Sequence, residues 1–276
     1  MKIAITGTTG MLGRALQKAF AKHSLSPLSS CHADITSLQE VRRAFSELQP
    51  DWIIHTAAFT NVDKAESNSF EAFRVNALGT RNVAQVASEK NCGLLYYSTD
   101  YVFDGLKESP YHEWDTPHPI NTYGRSKLAG ESYVQYFCAR HLIVRTSWLF
   151  GPGGFHFVDK ILERAQQEKP VHVVDDQRGS PTLSTDLAYM SLCLVEQERR
   201  GIYHVTNSGD CTWYELACKI ANLKGLKIEI EPINSESLQA TASRPRYSVL
   251  NNKILKLEKT PLLRPWQNAL AGFLGD

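Results

Sequence analysis

Through its first half the chain alternates short runs of β-branched and apolar residues with longer stretches of helical periodicity, and few folds accommodate that alternation. Strand, helix, strand in succession is a βαβ unit, which forces the strands to lie parallel in one sheet with helices over both faces. Residues 2–6 read as the first strand and 11–23 as the first helix, with Leu12, Leu16, Ala19 and Phe20 at helical spacing. A second strand over 25–29 contains Pro27, which strands tolerate only at edges, starts or bulges. Ser37 with Glu40 has the form of a capping box, opening a helix that runs to about residue 48 and leads to a strand over 52–55. Residues 69–90 read as one long helix and 93–98 as a buried strand. A long polar loop with Pro110, Pro117 and Pro119 then reaches a helix starting near Tyr123, and loops of that length in compact domains are usually functional. Strands at 141–146, 171–174 and 201–206 and helices at 154–168, 186–198 and 212–223 follow, before a tail that is less periodic from about residue 228.

The first strand meets the first helix at Gly7-Thr8-Thr9-Gly10-Met11-Leu12-Gly13, the place where a doubly wound sheet binds a dinucleotide pyrophosphate. Glycines there permit a tight turn and close backbone approach, while free amides and the helix dipole favour anions. The spacing is G-x-x-G-x-x-G, so an ordinary strand-to-helix turn is the competing reading. An acid at the end of the second strand would hold the adenosine ribose and favour NAD over NADP. The segment reads Ser29-Ser30-Cys31-His32, with neither acid nor arginine, which leaves NADH or NADPH open. Asp34 follows shortly, either at the adenine edge or as a cap for the next helix.

Composition removes other classes. Thirty lysines and arginines against 29 acids leave a net charge of +1, with no general attraction for nucleic acid or an anionic membrane. No apolar run approaches the ~20 residues that span a bilayer, and the start lacks a signal peptide's apolar region, so a cytoplasmic protein is expected. Six cysteines without a C-x-x-C pair read as reduced, buried hydrophobes, and nine histidines without ligand spacing predict no metal site.

Tyr123 and Lys127 stand four residues apart at a helix start, so both project from one face. A tyrosine ionises near 10, and a cationic neighbour favours its phenolate, so the pair makes a general acid/base working closer to neutrality. Alone it could be a surface contact. Ser98-Thr99-Asp100-Tyr101, at the carboxyl end of the 93–98 strand where such sheets bind ligands, adds a hydroxyl to orient a carbonyl.

With TGTTGMLG at the start, these residues carry a resemblance. The chain resembles the extended short-chain dehydrogenases/reductases, and within them the dTDP-4-dehydrorhamnose reductase family over nearly its whole length. HTAAFTNVDKAE (55–66), VNALGT (75–80), YSTDYVFDG (97–105), NTYGRSKLAGE (121–131), RTSWLFG (145–151) and DDQRGSPT (175–182) are the matching stretches. The implied fold is α/β: a Rossmann-type doubly wound parallel sheet with a smaller C-terminal substrate-binding lobe. The NAD(P)-binding domain would span residues 1–150 and the lobe mainly 151–276, with elements from about 180–206 rejoining the first domain.

The resemblance implies that Gly7, Gly10, Met11, Leu12 and Gly13 line the cofactor pyrophosphate, with Asp34 and Ile35 near adenine. Ala57, Ala58 and Phe59 would pass beneath the cofactor and Tyr97 lie on its far side. Tyr123 would donate the proton, Lys127 would hold the nicotinamide ribose and lower the tyrosine's pKa, and Thr99 would tune the transfer. Thr99, Asp100 and Trp148 would contact a dTDP-sugar whose C4 keto group takes hydride from NADPH or NADH, giving dTDP-L-rhamnose for surface polysaccharide.

Some relatives carry a glutamate that helps bind a metal at a dimer interface; Ala15 stands at the matching place, so no such metal is expected, while a homodimer stays open. Arg244-Pro245-Arg246-Tyr247-Ser248 matches the family's R-P-x-x-S stretch, as a diphosphate contact or as a solvated basic loop. Two alternatives remain. One is an epimerase or another nucleotide-sugar enzyme of the superfamily, although Asp100-Tyr101 replaces the acid pair usual in dehydratases. The other is a non-catalytic subunit like the regulatory subunit of methionine adenosyltransferase.

Overall fold

The computed structural model describes residues 1–167, 170–238 and 240–275. The chain runs β1 (Lys2–Thr6), α1 (Met11–Ala19), β2 (Ser24–Leu28), α2 (Leu38–Ala44), β3 (Trp52–His55), α3 (Val62–Ser67) and α4 (Ser69–Phe73). A π-helical turn (Arg74–Gly79) joins α4 to α5 (Thr80–Glu89), followed by β4 (Gly93–Thr99), α6 (Thr122–Phe137), β5 (His141–Thr146), β6 (Leu149–Phe150) and α7 (Phe157–Arg164). The remainder comprises β7 (Val171–Val174), β8 (Arg178–Gly179), β9 (Thr182–Leu183), α8 (Ser184–Glu196), β10 (Gly201–His204), β11 (Cys211–Thr212), α9 (Trp213–Lys224), β12 (Ile230–Ile233), α10 (Lys253–Leu257) and α11 (Trp266–Gly275).

Six strands form the central sheet in the order β10-β5-β4-β3-β1-β2, every neighbouring pair parallel. Its strands are apolar on both faces because both are covered. Ile3, Ile5, Ile54, Leu95, Tyr97, Leu142 and Val144 pack towards α1 and α8, while Ala4, Ile53, Leu94, Tyr96 and Ile143 pack towards α2, α5 and α6. Pro27 sits opposite Ile5 on β2, at the sheet's edge, where its missing N–H breaks no second ladder. After β2 a connecting segment over residues 29–37 leads to α2. The order reverses at β1, and in such sheets the crevice beyond the strand ends at that point takes the ligand.

The later half divides between two layers. α8 packs on α1, and β10 closes the sheet beside β5. A separate core of Phe150, Val158, Ile161, Val171, Leu216, Ile220, Trp266 and Leu270 ties α7, α9 and α11 to β7.

Several elements differ from the periodicity. The expected helix over 11–23 stops at Ala19. That over 69–90 is interrupted by the π-helical turn, and α3, capped by Asn61, precedes it. The one over 154–168 is confined to Phe157–Arg164, because His156, in extended backbone, caps it and leaves Gly154 and Phe155 outside; residue 168 lies outside the described residues. Ser37 does cap α2 by accepting from Glu40 N, but the Glu40 carboxylate accepts from Asp34 N instead of completing the box. The six cysteines are free, with Cys31 exposed rather than buried. Among the described residues no helix is long and apolar enough to cross a membrane.

Candidate active site

The carboxyl ends of β1, β3, β4 and β5 open onto one cavity of about 1030 Å³. At its floor Gly7 has φ +72°, and a Cβ there would come within 2.6 Å of Ala57 N, so only glycine lets the first and third strand ends approach. α1 begins at Gly10 with no side-chain cap and no acid in its first turn, and Gly10, Met11, Leu12 and Gly13 line the cavity. Helix-start amides without side-chain partners, facing a cavity, fit a pyrophosphate. Ala57, Ala58 and Tyr97 also line the cavity, and the Tyr97 hydroxyl donates to Ser191 at 2.7 Å. Phe59 is not part of the lining. Its N–H donates to Asn76 Oδ1 at 2.8 Å and its carbonyl accepts from Asn76 Nδ2 at 2.9 Å, which fixes the segment that follows β3.

At the opposite end of the floor, Asp34 and Ile35 line the cavity with Ser29, Ser30 and Arg74. Asp34 does not cap α2, since Ser37 does; it accepts from Thr36 N at 2.9 Å. That hydrogen bond, helped by Arg74, holds its carboxyl below the usual range. Arg74 is itself gripped by Glu71 at 2.7 and 2.8 Å.

Tyr123 and Lys127 leave the first two turns of α6. The start of that helix is fixed on three sides. Asn121 accepts from Gly124 N, Glu66 accepts from Thr122 N and Oγ1 at 2.6 and 2.8 Å, and Gly124 abuts the carbonyl of Tyr101. Thr99, at the end of β4, borders the same cavity beside the Tyr123 phenol and favours its ionised form. Burial, then the nearby Asp100, pushes that phenol above its ordinary value, against the lowering expected from Lys127. The lysine has lost much of its own charge: burial pulls it down to about 7, opposed by Glu131. Its Nζ lies 4.2 Å from the centre of the Tyr96 ring. Behind it His55, buried between Thr6 and Thr80, is pulled down to about 3 by burial and then by Lys127.

The wall opposite the glycine turn is aromatic. Trp148 has φ +46°, a left-handed conformation that costs an aromatic residue, and its indole stacks on Trp213 at 3.5 Å and 7°. The spacing of the sequence gave no sign of Trp213, which comes from a different lobe element. Asp100 is buried between Thr99 and Ser248, and burial pushes it up to about 7. Arg244 is neither free nor fully solvated, since it pairs with Asp63 at 2.7 Å. Gly179 packs so closely under Trp148 that an added Cβ would sit 2.5 Å from its ring. Gly179→Ala therefore displaces the indole, at about 1–3 kcal/mol. The expected result is a roughly tenfold rise in KM for a sugar nucleotide, with cofactor Kd unchanged; equal effects on both would contradict the assignment of this wall to the sugar side.

Comparisons with known proteins agree over the whole length. Residues 1–276 match the family described as RmlD substrate binding domain. A dTDP-4-dehydrorhamnose reductase of Streptomyces griseus is 40% identical over 275 residues, covering 96% of this chain and 90% of its own. The spore coat polysaccharide biosynthesis protein SpsK of Bacillus subtilis is 36% identical, over 100% of this chain and 97% of its own. A crystal structure of dTDP-4-dehydrorhamnose reductase from Bacillus anthracis in complex with NADP superposes with a TM-score of 0.96 at 38% identity, covering 99% of this chain and 98% of that one. This chain belongs to the RmlD family, that of the dTDP-4-dehydrorhamnose reductases.

Proposed function

We propose that this chain reduces the C4 keto group of dTDP-4-dehydro-6-deoxy-L-mannose to give dTDP-L-rhamnose, using NADPH or NADH, in the cytoplasm and for surface polysaccharide. The observation that carries the reading is the convergence of Thr99, Tyr123 and Lys127 on a cavity whose other end is an uncapped helix start. Residues 1–150, rejoined by α8 and β10, hold the cofactor, and the lobe within 151–276 faces the sugar nucleotide.

The bound nicotinamide supplies the two electrons of the reduction as hydride. The chain supplies the rest. The α1 amides at Met11, Leu12 and Gly13 hold a diphosphate, and Asp34 and Ile35 border adenine. Asp100 and Trp148 position the sugar against Thr99. Negative charge grows on the C4 oxygen as it is reduced, and Tyr123 meets it with a proton. Burial keeps that tyrosine protonated beforehand, which is the state a reductase needs at the start of its cycle. Lys127, in its charged form, stabilises the phenolate left behind.

The test is to supply dTDP-6-deoxy-L-lyxo-4-hexulose with NADPH or NADH and follow loss of the reduced nicotinamide absorbance. Stoichiometric oxidation with formation of dTDP-L-rhamnose is expected. Cofactor that stays bound and is recycled would point to an epimerase, and binding without oxidation to a regulatory subunit.

A further inference from the structure

The tail stretch carrying Ser248 reaches the site across a separation of 148 residues. Ser248, only 2% exposed, donates to Asp100 Oδ2 at 2.6 Å, and Thr99 donates to Asp100 Oδ1 at 3.0 Å. Thr99 also accepts from Tyr101 N at 3.1 Å and borders the cavity beside the Tyr123 phenol. Thr99, Asp100 and Ser248 thus form one buried line that leads to Tyr123. A hydroxyl accepts and donates at once, so Thr99 can take a proton from one neighbour while giving one to the other.

Resting on the reductase reading above, we propose that Asp100 is a proton reservoir that reloads Tyr123 through Thr99, and that Ser248 sets the pH at which the reservoir empties. As Tyr123 gives its proton to the C4 oxygen of the substrate, the phenolate takes the Thr99 hydroxyl proton and Thr99 takes the Asp100 carboxyl proton. Tyr123 and Thr99 each lose and regain one O–H. The net change is one proton moved from Asp100 to product, leaving a carboxylate that accepts from Thr99 and Ser248. Asp100 borders the cavity and takes a replacement proton from water once the product leaves. Burial favours the acid form and pushes the carboxyl up to about 7, against the hydrogen bonds from Ser248 and Thr99. The titratable neighbours are Tyr123 from α6 and Tyr101 from the turn after β4, both kept protonated by burial. Arg244 acts on Tyr101 while paired with Asp63 of α3, and Lys127 lies a turn further along α6.

The sign of the test follows from the chemistry. The reservoir works as the acid, so the single-turnover rate falls as pH rises through the Asp100 pKa. Ser248 donates to the carboxylate and favours it. Ser248→Ala therefore raises that pKa and moves the fall to higher pH, by about one unit, whereas Ser248→Thr, which keeps the hydroxyl, restores the original position. Asp100→Asn is neutral at every pH and has no proton to give, so the rate drops about a hundredfold and the alkaline fall becomes less steep, with only the Lys127 titration left in it. This near-isosteric variant carries the test alone if Ser248→Ala does not fold. A rate lowered uniformly in Ser248→Ala with the fall unmoved, or a fall in Asp100→Asn as steep as the wild type's, overturns the reservoir. Absence of any turnover by the wild type would instead overturn the reductase reading, and this proposal with it.

Discussion

Tyr123→Phe is expected to lower the single-turnover rate of carbonyl reduction about a thousandfold while leaving NADPH affinity within a factor of about two. The substitution removes one oxygen from a half-buried side chain on the cavity wall, so the ring, its edge contact with Tyr101 at 6.1 Å and the start of α6 all persist. What disappears is the phenol proton beside Thr99. Water is a poor replacement, because the phenol stands where burial has already raised the cost of forming charge. Fluorescence titration with NADPH alongside stopped-flow absorbance separates the two quantities. An unchanged rate would remove Tyr123 from the chemistry and leave the cavity without its proton donor.

Much of this arrangement was legible from residue patterns, and what escaped did so for specific reasons. The parallel sheet could be read because β1, β3, β4 and β5 are apolar on both faces, a signature that one-sided sheets lack. Tyr123, Lys127 and Thr99 were legible because two share a helix face and the third ends a buried strand. The π-helical turn at Arg74–Gly79 was not, since the surrounding residues keep an ordinary helical pattern. Yet that turn holds buried Asn76, which clamps Phe59 and donates to Ser126. Asp34 and Ser37 are both good caps three residues apart, and only the folded backbone decides for Ser37. Trp213 meets Trp148 through the lobe with no local spacing to announce it, and Ser248, flagged only within R-P-x-x-S as a diphosphate contact or basic loop, reaches Asp100 from the tail.

The largest stability effect expected in the molecule lies one turn beyond Lys127. Glu131 and Arg145 are 1% and 2% exposed at the side chain and form a bidentate pair at 2.7 and 2.9 Å, joining α6 to β5 beneath the site. Glu131→Gln leaves the arginine buried with its charge unmatched, at a cost of about 3–5 kcal/mol. For a chain of this size that lowers Tm by roughly 10 °C, measurable by circular dichroism or calorimetry. Removing both charges with Glu131→Leu and Arg145→Met should recover most of the loss, because the desolvation cost goes with them. The two variants then part on chemistry. Glu131 is the group that raises Lys127 against its burial, so both variants leave the lysine with less charge than the wild type. The double variant should therefore fold well and still reduce substrate more slowly around neutral pH, with activity recovering as pH falls and the lysine regains its proton. A double variant with both wild-type stability and a wild-type pH profile would show that the pair only fastens the helix to the sheet.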